Sequence, residues 1–190
     1  MREPIGPVVA VSAFNHPLNL IVHQVAPAVA VGCPVIVKPA DDTPLSARAF
    51  VEILIEAGLP REWCACFPCD IPTAEKLVTD PRVAFFSFIG SAKVGWMLRS
   101  KLAPGARCAL EHGGVAPVIV DDSADIAAML PSLIKGGFYH AGQVCVSVQR
   151  VYVPRAMALS VADQLAGLAS QLVVGNAVEE TTEVGPLIRP

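Results

Sequence analysis

Little of this 190-residue sequence is charged or aromatic: Asp, Glu, Lys and Arg make up 16% of it, and Phe, Trp and Tyr 6%. It has no dense run of Lys and Arg, and its formal net charge is -3. Both features argue against nucleic-acid binding, which depends on cations that neutralise phosphates. Prolines or polar residues interrupt each apolar stretch before it reaches transmembrane length, and the first residues lack the basic-then-apolar pattern of a signal peptide. We therefore expect a cytoplasmic protein with no nucleic-acid or membrane partner.

Hydrophobic residues make up 53% of the chain, which is more than in an average soluble domain. Such a composition favours strands that are buried on both faces, as in a parallel sheet covered by helices. We expect the six cysteines to be free thiols, one of which is a candidate for catalysis. The spacing Cys64-x-Cys66-x-x-Cys69 resembles a metal motif, but no second ligand pair has zinc-site spacing. We interpret this segment as a buried strand and expect no metal site.

Apolar runs typical of strands alternate with helical patterns along the chain. Strands are predicted near residues 8–11, 34–37, 64–67, 83–89, 107–110, 117–120 and 148–153, and helices near residues 18–31, 43–57, 73–78, 91–102, 125–138 and 156–172. Thr43 and Pro44 have the residue types of an N-cap and a first helical position. The alternation predicts a parallel sheet built from βαβ units.

Three segments contain residues with the chemistry of a catalytic site. Cys145 follows a helix and a loop of small residues, and a thiolate is the strongest nucleophile that a side chain supplies near neutral pH. Glu111 ends a strand before two glycines, which allow a close backbone approach, and is a candidate general base. Asn15 follows the first strand and offers an uncharged N–H donor to an oxyanion. The ordinary alternatives are a buried inert cysteine, a solvated loop glutamate and a turn asparagine.

Two further segments have the features of a nucleotide site. Gly90 and Ser91 lie between a strand and a helix, where backbone N–H groups bind phosphate, although the full G-x-G-x-x-G pattern is absent. Lys38 and Asp41 follow another strand, and open α/β sheets bind ligands at the carboxyl ends of their strands. The alternative for Lys38 and Asp41 is a solvent-facing pair of charges.

The order of these segments resembles the aldehyde dehydrogenase superfamily along essentially the whole chain. The matching motifs are Phe14-Asn15-His16-Pro17, Lys38-Pro39-Ala40-Asp41 with Thr43-Pro44, Phe88-Ile89-Gly90-Ser91, Glu111-His112-Gly113-Gly114 and Gly142-Gln143-Val144-Cys145. The chain departs from the family pattern where Phe14 replaces tryptophan, Ile89 replaces threonine and His112 replaces leucine. It also has Pro68-Cys69-Asp70-Ile71-Pro72 where the family has a glycine-rich turn.

The resemblance implies a Rossmann-like NAD(P)-binding domain over residues 1–113 and the beginning of an α/β catalytic domain over residues 114–190. It implies oxidation of an aldehyde to a carboxylic acid, in which Cys145 attacks the aldehyde carbon. The Asn15 side chain and the Cys145 backbone N–H are expected to hold the oxyanion. Glu111 is expected to activate the water that hydrolyses the thioester.

The resemblance also implies the cofactor contacts. Lys38 and Asp41 are expected to meet the adenosine ribose, and a carboxylate there favours NAD over NADP because it repels a 2′-phosphate. The Gly90–Ser91 turn is expected at the pyrophosphate and Val94 beside the adenine. The full predicted set of cofactor-binding residues is Lys38, Asp41, Gly90, Ser91, Val94, Gly95 and Phe14.

Because family members are longer, the resemblance implies an internal segment of a homo-oligomeric enzyme, a dimer or tetramer. The chain has no Glu-x-Phe-Gly-Pro motif, which grips the nicotinamide ribose in the family. Three functions therefore stay open: a hydrolytic aldehyde dehydrogenase, an acyl-CoA-forming relative, and a truncated chain without catalysis that binds nucleotide at most. Glu111 disfavours the second, because acyl-CoA-forming relatives usually lack a glutamate there.

Overall fold

The computed structural model describes residues 3–190, and the chain divides into two compact units, the first ending at Gly113 and the second running from Gly114 to Pro190. The strands are β1 (Val8–Val11), β2 (Val35–Lys38), β3 (Cys64–Cys66), β4 (Phe85–Gly90), β5 (Arg107–His112), β6 (Val118–Ile119) and β7 (Val151–Tyr152). The helices are α1 (Asn19–Ala30), α2 (Pro44–Glu56), α3 (Ile71–Val78), α4 (Ala92–Arg99), α5 (Ile126–Phe138) and α6 (Ala158–Ala169). No helix within residues 3–190 has both the length and the apolar character needed to cross a membrane.

The first unit contains a five-stranded sheet in the order β3-β2-β1-β4-β5, and every neighbouring pair is parallel. The parallel α/β architecture predicted from the sequence is therefore confirmed. Val11, the last residue of the central strand, is in register with Lys38 on one side and Phe88 on the other. The carboxyl ends of β1, β2 and β4 thus lie side by side, at the point where the strand order reverses and where such sheets bind ligands.

Successive residues of β1 point to opposite faces of this sheet, and each face is covered by its own helices. Val8 and Ala10 pack with buried residues of α1 and α2, whereas Val9 packs with Phe86 and with buried residues of α3 and α4. Phe86 is completely buried. Burial on both faces explains why these strands are almost continuously hydrophobic.

Gln24 is a buried polar residue that links α1 to two strands. Its Nε2 donates to the carbonyl oxygen of Val11 at 3.1 Å, to that of Ser87 at 3.0 Å and to Oγ of Ser87 at 3.1 Å. The residue is 6% exposed. The amide therefore holds β1 and β4 together close to their carboxyl ends.

Side-chain caps start two of the helices in the first unit. Asp70 accepts a hydrogen bond from the Thr73 N–H at 2.9 Å and begins α3 two residues earlier than the predicted start. Ser91 caps α4 in the same way. Thr43 and Pro44 occupy the N-cap and the first helical position of α2, as predicted, but the Thr43 side chain makes no capping hydrogen bond.

Two predicted boundaries extend too far. The helix predicted to reach residue 102 ends at Arg99, because the N–H groups of Lys101 and Leu102 bond to carbonyls three residues back and tighten the chain into a turn. The strand predicted over 148–153 is reduced to β7, because Val151 and Tyr152 are the residues of this range that are paired in register with β6.

The second unit combines the parallel β6–β7 pair with α5 and α6, which pack against each other. Leu130 and Leu133 of α5 and Val161 of α6 are buried. This unit is therefore also α/β in character.

Candidate active site

Lys38 and Asp41 form an ion pair at the carboxyl end of β2. The Lys38 side chain is 10% exposed, and its Nζ donates to Oδ1 of Asp41 at 2.5 Å. The Asp41 side chain is 57% exposed, and a carboxylate can accept more hydrogen bonds than this one. The alternative of a solvent-facing charge pair therefore describes Asp41 but not Lys38.

The turn between β4 and α4 brings the chain backbone close to solvent at the same edge of the sheet. Gly90 ends β4, and the Oγ of Ser91 accepts a hydrogen bond from the Val94 N–H at 3.4 Å. A Cβ at Gly90 would lie 2.7 Å from the ring of Phe88, and one at Gly95 would lie 3.0 Å from it. A side chain at either position would therefore press on the Phe88 ring, and residues 91–94 at the start of α4 are exposed.

Phe14 and Asn15 lie in the segment that follows β1, where both are half-buried. This segment starts between the ends of β2 and β4, and the Ser12 N–H donates to the Lys38 carbonyl at 3.1 Å. The topology of the first unit therefore places the three predicted segments that contain Asn15, Lys38 and Gly90 at one edge of the sheet.

Glu111 is the penultimate residue of β5 and is exposed. It is paired in register with Ile89 of β4, so it belongs to the same carboxyl edge. The ring of the next residue, His112, packs beside Trp96 of α4 with 5.8 Å between the ring centroids. Because neighbouring strand residues point to opposite faces, the His112 ring packs away from Glu111.

Cys145 belongs to the second unit and is the only exposed thiol among the six cysteines. The alternative of a buried, inert residue does not fit this exposure. Burial raises the pKa of Cys64 to about 11, and burial also raises the pKa values of Cys66 and Cys69. The prediction of a strand here is confirmed by β3, but its burial is confirmed only at Cys64, since Ala65 is exposed and Cys66 is half-buried.

A left-handed turn leads from α5 to Cys145. His140 and Ala141 have φ angles of 51° and 55°, and Gly142 has 74°. Each non-glycine residue in this conformation costs about 1–2 kcal/mol. The turn is closed by the Gln143 N–H, which donates to the His140 carbonyl at 3.0 Å. Non-glycine strain of this kind persists only where the surrounding structure enforces it.

The sequence did not single out Ser147, which is 3% exposed and donates from Oγ to the Gly137 carbonyl at 3.0 Å. Its only signal is a hydroxyl between two valines, Val146 and Val148, in a segment that otherwise resembles a strand. The expectation of a close backbone approach at the two glycines after Glu111 is confirmed at Gly114, where a Cβ would overlap the carbonyl oxygen of Cys145.

The first unit, a parallel sheet with helices on both faces and candidate ligand-binding groups at its switch point, defines a Rossmann-like α/β fold. The aldehyde dehydrogenase family model matches residues 1–190. Over 190 residues the chain is 38% identical to a 3-sulfolactaldehyde dehydrogenase from Priestia aryabhattai. The match covers 100% of this chain and 40% of the relative.

Solved structures give the same result. A Mycobacterium tuberculosis aldehyde dehydrogenase complexed with NAD+ superposes with a TM-score of 0.94 at 36% identity, over 98% of this chain and 39% of that chain. A glyceraldehyde-3-phosphate dehydrogenase from Methanocaldococcus jannaschii complexed with NADP gives 0.91 at 37% identity, over 99% and 42%. The chain belongs to the aldehyde dehydrogenase family, as its motifs predicted. It spans about two fifths of the length of the relatives that it matches.

Proposed function

We propose that this chain supplies the nucleophile, the base and the oxyanion donor of an enzyme that oxidises an aldehyde to a carboxylic acid with NAD(P). The observation that carries the proposal is the family match over all 190 residues. The cysteine of the Gly-Gln-x-Cys motif, Cys145, is also the one exposed thiol among the six cysteines. The exposure of Glu111 at a strand end supports its role as a base for water.

In the proposed reaction the Cys145 thiolate attacks the aldehyde carbon and forms a carbon–sulfur bond. The Asn15 side-chain amide and the Cys145 backbone N–H donate hydrogen bonds to the resulting oxyanion and stabilise its charge. After oxidation the substrate is a thioester of Cys145. Glu111 takes a proton from water, the water oxygen attacks the thioester, and the acid leaves as the thiolate is regenerated.

The proposed dinucleotide site lies in the first unit, and a bound dinucleotide would supply the hydride acceptor of the reaction. The exposed N-terminus of α4 at Gly90 and Ser91 is proposed to offer backbone N–H groups to a pyrophosphate. Val94, 40% exposed in the first turn of α4, offers an apolar surface to the adenine. Lys38 and Asp41 offer a buried cation and an exposed carboxylate to a ribose. Gly95, which faces the Phe88 ring, and Phe14 are proposed as neighbours of this site.

The decisive experiment is NADH formation by this chain with NAD and a panel of short, aromatic and semialdehyde substrates. We expect turnover that is lost in Cys145→Ser and kept in Cys66→Ser, a control that changes a half-buried thiol of β3. Turnover that survives in Cys145→Ser would refute the assignment of the nucleophile.

Glu111→Gln tests the hydrolytic half of the reaction. The variant should still be acylated but should hydrolyse the thioester slowly, so that a covalent acyl-enzyme accumulates and is seen by intact-protein mass spectrometry. Glu62→Gln is the matched control, since Glu62 is also exposed and lies outside the proposed site. Unchanged steady-state turnover in Glu111→Gln would remove this residue from the role of base.

Asp41 is proposed to favour NAD over NADP, because its charge repels a 2′-phosphate. Asp41→Asn keeps the hydrogen-bonding shape and removes the charge, so it should narrow the difference between the dissociation constants of NADH and NADPH. Asp42→Asn provides the control at the neighbouring exposed residue. If the ratio of the NADH and NADPH dissociation constants is the same in Asp41→Asn as in Asp42→Asn, cofactor choice depends on other residues.

The second candidate function is nucleotide binding without catalysis. The observation that favours it is the Rossmann-like sheet of the first unit, the part of the chain to which nucleotide binding is assigned. The two functions are distinguished by binding and turnover together: NADH binding without NADH formation, in conditions where a full-length relative turns over, would support the second.

A further inference from the structure

Cys145 lies in a tight turn that is closed by a hydrogen bond to the peptide group between Val144 and Cys145. The Ser147 N–H donates to the Val144 carbonyl at 3.0 Å. The Val144 carbonyl and the Cys145 N–H belong to one planar trans peptide, so they point in opposite directions. The bond from Ser147 therefore fixes the direction of the N–H that serves as an oxyanion donor in the proposed reaction.

Ser147 is itself fastened to the end of α5. Its buried Oγ donates to the Gly137 carbonyl at 3.0 Å, and the next N–H, of Val148, donates to the Gly136 carbonyl at 3.0 Å. Both acceptors lie in the last turn of α5, where helix carbonyls have no partner within the helix. The turn around Cys145 is thereby tied to a rigid element rather than left as a free loop.

Gly114 bounds the same turn from another side. A Cβ at this position would overlap the Cys145 carbonyl oxygen. The adjoining backbone is held in place because Gln149 donates from its side chain to the Gly114 carbonyl at 3.0 Å and from its N–H to the Val115 carbonyl at 3.1 Å. The Cys145 backbone can occupy its position only because residue 114 has no side chain.

We propose that Ser147 and Gly114 are positioning residues. They hold the Cys145 peptide so that its N–H stabilises the oxyanion that forms on the substrate when the Cys145 sulfur attacks its carbonyl carbon. The inference rests on the proposed function, since it takes Cys145 as the nucleophile. It makes a specific distinction: reactions of the thiol that create an oxyanion depend on Ser147 and Gly114, whereas reactions that create none do not.

The test compares two reagents that react with the same thiol. With 4-nitrophenyl acetate the thiolate attacks the carbonyl carbon, passes through an oxyanion, and yields an acetyl thioester and 4-nitrophenolate, which is followed by absorbance. With iodoacetamide the thiolate displaces iodide and no oxyanion forms; this rate is followed by mass spectrometry of the peptide that contains Cys145. The readout is the ratio of the acylation rate to the alkylation rate, which general loosening of the structure would not lower.

Ser147→Ala should lower this ratio by roughly tenfold, which is less than the loss of 10²–10³ when a whole oxyanion donor is removed. Gly114→Ala should lower it as well, and it decides the question if circular dichroism shows that Ser147→Ala is unfolded. Ser170→Ala is the matched control, because Ser170 makes the same kind of hydroxyl bond to the Gly167 carbonyl, at 2.8 Å, at the end of α6. Its ratio should equal that of the unmodified chain.

A ratio that stays unchanged in both folded variants would overturn the positioning role and leave Cys145 standing as nucleophile. Equal loss of both rates would overturn it too, since that pattern indicates only reduced access to the thiol. If Cys145→Ser is acylated as fast as the unmodified chain, the nucleophile assignment fails, and the inference fails with it.

Discussion

Gln24→Met removes the side-chain amide that holds β1 and β4 together beside the proposed cofactor-binding edge. Methionine is close to glutamine in length and in helix propensity, so α1 itself should lose little stability. The variant loses both N–H donors to Val11 and Ser87. It also leaves their buried oxygens with fewer partners.

The expected loss follows from these bonds. A hydrogen bond contributes about 0.5–1.5 kcal/mol. Two lost donors therefore predict a fall of about 1–3 kcal/mol in the free energy of unfolding of the first unit. With a urea dependence of about 2 kcal/mol per molar, the unfolding midpoint should fall by about 0.5–1.5 M.

Tryptophan fluorescence during urea unfolding isolates the first unit, because Trp63 and Trp96, the two tryptophans of the chain, both belong to it. His23→Met is the control, since it introduces the same side chain at the adjacent, exposed position of α1. If Gln24→Met shifts the midpoint no further than His23→Met does, the amide does not carry the stabilisation assigned to it.

Iodoacetamide at mildly alkaline pH should modify Cys145 well before Cys64, because burial raises the pKa of Cys64 to about 11; equal labelling in peptide mass spectra would contradict this. Asp70→Ala should lower the melting temperature at neutral pH but not in acid. Hydrogen bonds from α3 lower the pKa of Asp70, so its stabilisation is complete above the unfolded pKa and is lost as pH falls through the folded one; a pH-independent difference would refute this. Phe86→Ala should cost about 3–5 kcal/mol of unfolding free energy. Measured from urea unfolding midpoints, the loss of unfolding free energy should be much smaller for Phe67→Ala, because Phe67 is 43% exposed.

The positions of the strands along the chain were predictable, because a strand that is buried on both faces is almost entirely apolar, as Val8–Val11 is. The boundaries were less predictable, because partners elsewhere in the chain decide them. Residues 148–153 include four residues of types common in strands, but only two residues of this range are paired in register with β6. The end of α4 likewise depends on local backbone turns that its helix-forming residues do not reveal.

The candidate site divides in a similar way. Lys38, Asp41 and Glu111 follow or end strands, so the parallel topology was enough to predict which edge of the sheet they share. Ser147 was not predictable, because its acceptor is the Gly137 carbonyl in the last turn of α5. The chain leads from α5 to Ser147 through the left-handed turn at His140 and Ala141, and neither residue has a sequence signal for that conformation.

The central position of β1 has a consequence for synthesis on the ribosome. The strands β1, β2 and β3 are contiguous in the sequence and can pair as soon as residue 66 has emerged, since each lies beside the previous one. The N–H and C=O groups on the other edge of β1 stay unpaired until β4 (Phe85–Gly90) has been synthesised. Translation that stalls within α3 would leave this hydrophobic edge open to another nascent chain, which makes that interval the vulnerable one for co-translational aggregation.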